Sequence, residues 1–406
     1  MLLRDRPSHL THFLSACLLA GCLSGGRRVT AFDNVFLKDV PDYHWHMGCF
    51  GTACGNLIGY WDRHGLANYY TGPTAGGVAP LNSSGANSGI RSLWASQAGI
   101  DGRPIGQPGH ANDYYWDYER IDADPYVVAG RTEHPPDCIG DFIGLNQFKW
   151  TDLGGECRGN IDGFSFNFFD RDGLRRDNYT PHDVAGKAIP DIQSGLRAWS
   201  EYRGHAADSF SQLSDFNPDK PAGRGFTFAD LKAEIDAGYP VLLFMQEFGN
   251  FSRRLGGIDG VNPEIHGMLA YGYLVTDAGE CYVHYRTSWA SGDRNFSLWT
   301  DAVWTPENSL NMPLRGVIGF HPRPRLTQVS AAAGQVHLRW EGPLAVLHDE
   351  VAGVDAPVQR YVVERAPSAT SDRWEAVTEP IAGLSADIAP CCDGTVFFRL
   401  RLVTGN

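Results

Sequence analysis

No stretch of this chain reaches the roughly 18 to 20 consecutive apolar residues of an ordinary membrane-spanning helix. Positive charge is also short: 34 Lys and Arg stand against 47 Asp and Glu, a formal net charge of −13. That balance argues against a general nucleic-acid binder, which needs a basic stripe to displace counterions. Neither a Gly-rich phosphate cradle nor a Ser-nucleophile elbow is present. His44-x-His46 would set both rings on one face of a strand, yet no Cys or carboxylate stands nearby at a zinc-site spacing. Asp170-Arg171-Asp172-Gly173 is a fragment of a calcium-loop pattern without the remainder. No metal and no cofactor is therefore expected. Methionine is scarce, 5 in 406 residues, against 11 tryptophans, of which 9 precede residue 320. With 43% hydrophobic and 20% charged residues, most of the chain should fold.

Residues 1–22 read as a targeting segment. Arg4 and Arg6 precede the apolar run Phe13 to Gly21, the size of a signal core and too short to span a bilayer. Leu19-Ala20-Gly21-Cys22 resembles the bacterial lipobox, in which cleavage before Cys leaves that Cys lipidated. Ordinary cleavage after a small residue is the alternative, and both imply export. A lipid on Cys22 would be the chain's one membrane contact. Export makes oxidation of buried cysteine pairs the expectation. Cys49, Cys54, Cys138, Cys157, Cys281, Cys391 and Cys392 remain after the signal, so a monomer keeps at least one thiol. A Cys138–Cys157 disulfide is expected. Cys391 and Cys392 could pair with each other, pair elsewhere or stay free.

The rest divides in two. Residues 33–321 are rich in aromatics and Gly, and His321-Pro322-Arg323-Pro324-Arg325 reads as a short linker. Beyond it, Val336 to Trp340 alternates apolar and polar, Val358 to Arg365 is β-branched and aromatic, and Thr395 to Val403 is a further strand candidate. Short strands between Gly, Pro and Asp turns indicate an all-β sandwich over residues 325–406. The Leu-x-Trp, Tyr-Val-Val-Glu-Arg and Phe-Phe-Arg-Leu-Arg strands resemble a fibronectin type III domain. This sandwich is expected to be dispensable for chemistry elsewhere.

The chemistry-bearing segment is Gly48-Cys49-Phe50-Gly51-Thr52-Ala53-Cys54 and its continuation to Gly65. Ala53, Leu57 and Trp61 recur every four residues, with Cys54 and Ile58 beside them, which predicts one buried helical face stopped at Gly65. Cys49 falls at the helix N-terminus, where unpaired N–H groups and the macrodipole stabilise a thiolate. Cys54 reads as a small buried hydrophobe or half of a disulfide. A cysteine nucleophile needs a base from another segment. Among 14 histidines, context selects His266. Phe228 to Gly238 is a helix with a Gly cap, Tyr239 to Met245 a buried strand, His266 to Val275 a second strand, and Cys281 to Arg286 a third, followed by Thr287-Ser288-Trp289. His284 reads as a satisfied structural histidine, and His110 as either a cleft or a surface-loop residue.

This order, with Cys49 on a helix and His266 on a sheet, resembles the two halves of a papain-fold cysteine peptidase over about residues 38–320. The secreted peptidase C-39-like group is the family it looks most like. The implied fold class is α+β: an N-terminal helix carrying Cys, an antiparallel β-sheet carrying His, and the C-terminal sandwich. The resemblance implies Cys49 as nucleophile and His266 as general base in an exported hydrolase of peptide or other amide bonds, with a peptide or protein substrate. Relatives hold the oxyanion with an upstream Gln. Here Tyr43, His44 and Trp45 occupy that region, and His44 is the preferred donor. Relatives place Asp or Asn before a small residue and Trp; here that position is Thr287, with Asp293 as an alternative from the loop. Trp289 is expected to shield the site. The departures leave a second reading open, a catalytically inactive papain-fold surface protein acting in binding or adhesion. Oligomeric state is not legible.

Overall fold

A computed structural model describes residues 31–45, 49–69, 78–84, 90, 139–144, 156–157, 162–163, 170, 172–180, 182–184, 187–189, 191–215, 217–218, 220–246, 265–289, 295–300, 313–389 and 395–404. The targeting segment, His46, His110, the Cys138–Cys157 pairing, Asp293 and Cys391-Cys392 lie outside these residues. The described part is mixed α+β and mostly antiparallel sheet. Among the described residues no helix is long and apolar enough to cross a membrane.

Strand β1 (Ala31–Leu37) leads to helix α1 (Cys49–Arg63). Helix α2 (Ile139–Ile143) and the short strands β2 (Glu156–Cys157), β3 (Asp162–Gly163), β4 (Arg176–Asp177), β5 (His182–Val184) and β6 (Lys187–Ile189) follow. Helix α3 (Ile192–Tyr202) starts at Asp191, whose carboxylate accepts the Ser194 N–H. After β7 (Ala207–Leu213), helix α4 (Phe228–Asp236) opens with a capping box between Thr227 and Asp230. It stops before Gly238, whose φ of 89° suits glycine. Strands β8 (Val241–Gln246), β9 (Ile265–Thr276), β10 (Cys281–Arg286), β11 (Asn295–Leu298) and β12 (Leu314–Pro322) complete this region.

The helix expected from the four-residue spacing forms, and it differs in one respect. Every residue from Cys49 to Asp62 is buried, so α1 is enclosed on all sides rather than along one face. It packs on β9 and β8. The long strand β9 is the axis of the sheet. Its first half pairs with β8 (Met245 opposite His266), its second half with β1 (Val35 opposite Tyr273), and β10 runs along the other edge.

The C-terminal region holds β13 (Arg325–Ala332), β14 (Gln335–Glu341), β15 (Val346–Asp349), β16 (Val354–Pro357), β17 (Gln359–Ala366), β18 (Glu375–Ala376), β19 (Ser385–Ile388) and β20 (Phe397–Thr404). Two three-stranded sheets, β13-β14-β19 and β18-β17-β20, share a core of Leu338, Trp340, Tyr361, Val363, Ala386 and Ile388. The hairpin β15–β16 does not belong to them. It joins the large sheet, whose order is β16-β15-β1-β9-β8-β12-β7-β4 with β10 and β11 attached at β9.

The division at 321–325 is therefore not a division of the sheet. β12 runs through His321 and Pro322, pairing with β7 as far as Ala207. Proline is tolerated there because it closes the strand and need not continue the ladder. Arg323 then makes two 2.6 Å bonds to the Asp208 carboxylate, and its N–H donates to Ala206 O. Beyond that junction, the Gly342 and Leu344 N–H groups donate to the Gly65 and His64 carbonyls at the end of α1. His64 directly follows the last helical residue, so its carbonyl has no helical N–H to meet, and the Gly65 bond ties down the turn beyond it. Whether the sandwich is dispensable is a matter for truncation; the structure shows a C-terminal hairpin shared with the large sheet and two main-chain bonds to the end of α1.

Candidate active site

Cys49 is the first residue of α1 and is buried. Its sulfur accepts the Gly267 N–H at 3.3 Å, and the main-chain amides of Phe50 and Cys49 also favour its ionised form. The sequence argument expected this helix terminus to lower the thiol pKa. Burial wins instead: desolvation pushes Cys49 up to about 12, and the three amides only reduce the rise. Cys54 lies further along α1, forms no disulfide, and is raised further by burial and by its neighbour Cys49.

His266 sits near the start of β9 and is buried. Its Nε2 lies 2.7 Å from the Thr287 main-chain carbonyl oxygen. A carbonyl only accepts, so Nε2 carries the hydrogen and Nδ1 is left as the basic nitrogen. Burial lowers His266 to about 4, the Thr287 bond opposing it. Burial therefore disfavours both charged forms, the Cys49 thiolate and the His266 imidazolium. Among the described residues, the sulfur's partner on β9 is the Gly267 amide rather than the ring itself.

Close approach of α1 and β9 depends on Gly267. A Cβ on it would collide with the Phe50 ring and with the Phe50 backbone at 2.9 Å. The segment before α1 is held by Asn56, whose buried Oδ1 accepts the Tyr43 N–H at 3.0 Å. That segment delivers Trp45. Its ring lies nearly parallel to Trp289, 9° apart with centroids at 6.2 Å, and Trp289 lies 7° from the His266 ring at 5.8 Å. Trp289 thus lies parallel to both the imidazole and Trp45, and it remains 39% exposed.

The residues named from sequence divide as follows. Cys49, His266, Thr287, Trp45 and Trp289 are brought together. Thr287 contributes differently from expectation: its hydroxyl accepts the Trp289 N–H at 3.2 Å, while its carbonyl takes the His266 bond. His44, the preferred oxyanion donor, is exposed; its main-chain N–H donates to Ser83 Oγ at 2.8 Å. Among the described residues its ring meets neither Cys49 nor His266. Tyr43 is turned inward, its hydroxyl donating to Pro80 O. His284 is buried with Nε2 2.9 Å from Asn34 Oδ1, a structural bond between β10 and β1.

Sequence reasoning missed Gly267 as an amide donor and Ser288 as a shaped residue. Ser288 is fully buried, has φ 68°, and donates its hydroxyl to Gly267 O at 2.8 Å. Gly after a candidate base was a readable signal; a left-handed serine was not. Among the described residues no group of three or more His, Cys, Asp or Glu is placed to hold a metal. No protein-family model, no curated protein and no solved structure matches the chain.

Proposed function

We propose that this chain is an exported cysteine hydrolase, a peptidase or amidase on a papain-like fold with a C-terminal fibronectin type III-like sandwich. The observation that carries the reading is the meeting of Cys49 and the His266 segment through the Gly267 amide, with His266 fixed by Thr287 O. General-base activation then requires His266 Nδ1, the nitrogen Thr287 leaves open, to come within hydrogen-bond reach of Cys49 Sγ, whose present partner is the amide of the next residue.

Because burial keeps both groups neutral at rest, proton transfer must accompany attack. Cys49 Sγ bonds to the amide carbonyl carbon as its proton passes to His266 Nδ1. The resulting oxyanion lies by the α1 N-terminus, where the helix macrodipole favours negative charge. Collapse breaks the C–N bond, and the imidazolium returns the proton to the leaving amine. Water then attacks the thioester, its proton passing to His266 and from there to the departing Cys49 sulfur, which releases the acid and restores the thiol and the neutral imidazole. The substrate class is peptide or protein; lipid on Cys22 would tether the enzyme to a membrane without altering this chemistry.

A second reading is a catalytically inactive surface protein used for binding. The neutral, buried Cys49 and His266 favour it. The test is incubation of the signal-free chain with a proteome-derived peptide library and with a peptide carrying an acyl electrophile. New termini and a Cys49 adduct, both absent in Cys49→Ala and His266→Ala, support hydrolysis. No new termini and no adduct, from a protein that unfolds cooperatively, would leave the binding reading.

A further inference from the structure

The hydrogen on His266 Nε2 is aimed at a main-chain oxygen, so the chain must fix that oxygen by backbone conformation rather than by a side chain. The residue after it, Ser288, has φ 68°, a left-handed conformation that sterically strains a residue carrying a Cβ. It is fully buried, and its Oγ donates to Gly267 O at 2.8 Å. Gly267 in turn gives its N–H to Cys49 Sγ. On the other side of Ser288, the Trp289 N–H is held by Thr287 Oγ1, and the Trp289 ring lies parallel to His266. Three contacts to the site thus leave one turn: the Thr287 carbonyl to the ring nitrogen, the Ser288 hydroxyl to the strand beneath, and the Trp289 face over the ring.

We infer that Ser288 is a positioning residue of this site. Its left-handed backbone turns the Thr287 carbonyl onto His266 Nε2, and its hydroxyl clamps that turn to Gly267. Together these hold His266 in the tautomer whose Nδ1 accepts the Cys49 proton. A strained non-glycine conformation persists where surrounding bonds over-determine it, and here those bonds converge on two proposed reacting residues. Glycine would relieve the strain, so a serine at this position is explained by its hydroxyl. The inference rests on the hydrolase reading for its purpose, and on the hydrogen-bond geometry alone for its existence.

The test is nitrogen-15 NMR of the full signal-free chain labelled at histidine, with His266 assigned by loss of its signals in His266→Gln. The wild type is expected to show the Nε2–H tautomer. Ser288→Gly, which accepts the backbone but lacks the hydroxyl, and Ser288→Ala are expected to give a mixed tautomer population. Both should show at least a tenfold slower reaction of Cys49 with the electrophilic peptide. Ser288→Asn, which tolerates left-handed φ and retains a donor, should recover part of that rate. An Nδ1–H tautomer in the wild type would overturn the inference without any variant. So would an unchanged tautomer in both Ser288→Gly and Ser288→Ala accompanied only by lower thermal stability. If the variants shift the tautomer while wild-type Cys49 never forms an adduct, the positioning role stands and the hydrolase reading fails.

Discussion

Gly267 donates its main-chain N–H to Cys49 Sγ at 3.3 Å, so the first residue of α1 and the strand bearing His266 are joined one residue from the imidazole. The bond exists because residue 267 has no side chain. A Cβ there would press on Phe50, which is itself stacked on Phe244 at 4.9 Å and has little room to retreat. Gly267→Ala is expected to lower stability by about 1 to 3 kcal/mol, as overpacking does, and to slow Cys49 adduct formation. Thermal unfolding and adduct mass measure the two effects. An alanine variant with wild-type melting would mean that α1 and β9 are not in this contact.

Thiol reactivity should follow exposure rather than function. Among the described residues Cys49, Cys54 and Cys281 form no disulfide, and only Cys281 is partly exposed. Burial raises Cys49 to about 12 and Cys54 beyond it, so neither supplies thiolate at neutral pH. Iodoacetamide at pH 7.5, mapped by peptide mass, should label Cys281 well before Cys49, and Cys54 only on unfolding. Cys49 labelling should climb steeply as pH rises through the alkaline range. Rapid labelling of Cys49 near pH 6 would instead reveal a resting thiolate–imidazolium pair and contradict the neutral site.

Acid should weaken the fold through His266. Its pKa is lowered from the ordinary 6.5 to about 4, first by burial. The unfolded chain binds the proton below pH 6.5 while the folded chain resists it until about pH 4. Stability is therefore full above 6.5 and lost as pH falls towards 4, by up to about 3 kcal/mol. Asp191 acts oppositely in part of this range: burial raises it to about 6, so acidification relieves a buried charge there. Comparison with His266→Gln separates the two, since Asp191 is common to both proteins. The wild-type melting temperature should fall more steeply between pH 7 and 4.5 than that of the variant. Parallel curves would place His266 in contact with water.

Local pattern carried much of this arrangement. Every-fourth-residue spacing located α1, and continuous β-branched and aromatic runs located β8, β9, β10 and β17. The expectation that Cys49 and His266 share one neighbourhood came from the resemblance to a papain-fold peptidase and not from spacing. What pattern could not carry was long-range or conformational. Nothing in Val346–Asp349 says that its partner is β1, more than three hundred residues earlier in the chain. Thr287 looked like a weak substitute for Asp or Asn because side-chain chemistry is visible in sequence and a turned carbonyl is not. The macrodipole argument for Cys49 has the right sign, but its size is decided by burial, which depends on how the whole sheet closes around α1.

The same closure ties the C-terminal region to the elements that carry the candidate site. Gln359 is fully buried between the two regions: its Oε1 accepts the Ala345 N–H at 2.5 Å and its Nε2 donates to Ala237 O at 2.7 Å. Ala237 and Gly238 follow α4, and the Gly238 carbonyl accepts the Tyr60 hydroxyl of α1 at 3.2 Å. Gln359→Ala would strand a buried N–H and a buried C=O together. Each such group costs about 1 to 3 kcal/mol, so a loss of about 2 to 6 kcal/mol is expected from denaturant unfolding. A chain ended at residue 322 loses more: the β15 ladder on β1, the Arg323–Asp208 pair and the N–H groups that cap α1 all disappear. That chain should show no cooperative transition, because α1 then ends on exposed carbonyls and β1 becomes an edge. If it melts cooperatively and its Cys49 still reacts with the electrophilic peptide, the sandwich is a separable appendage and the capping of α1 by residues 342–344 carries no stability.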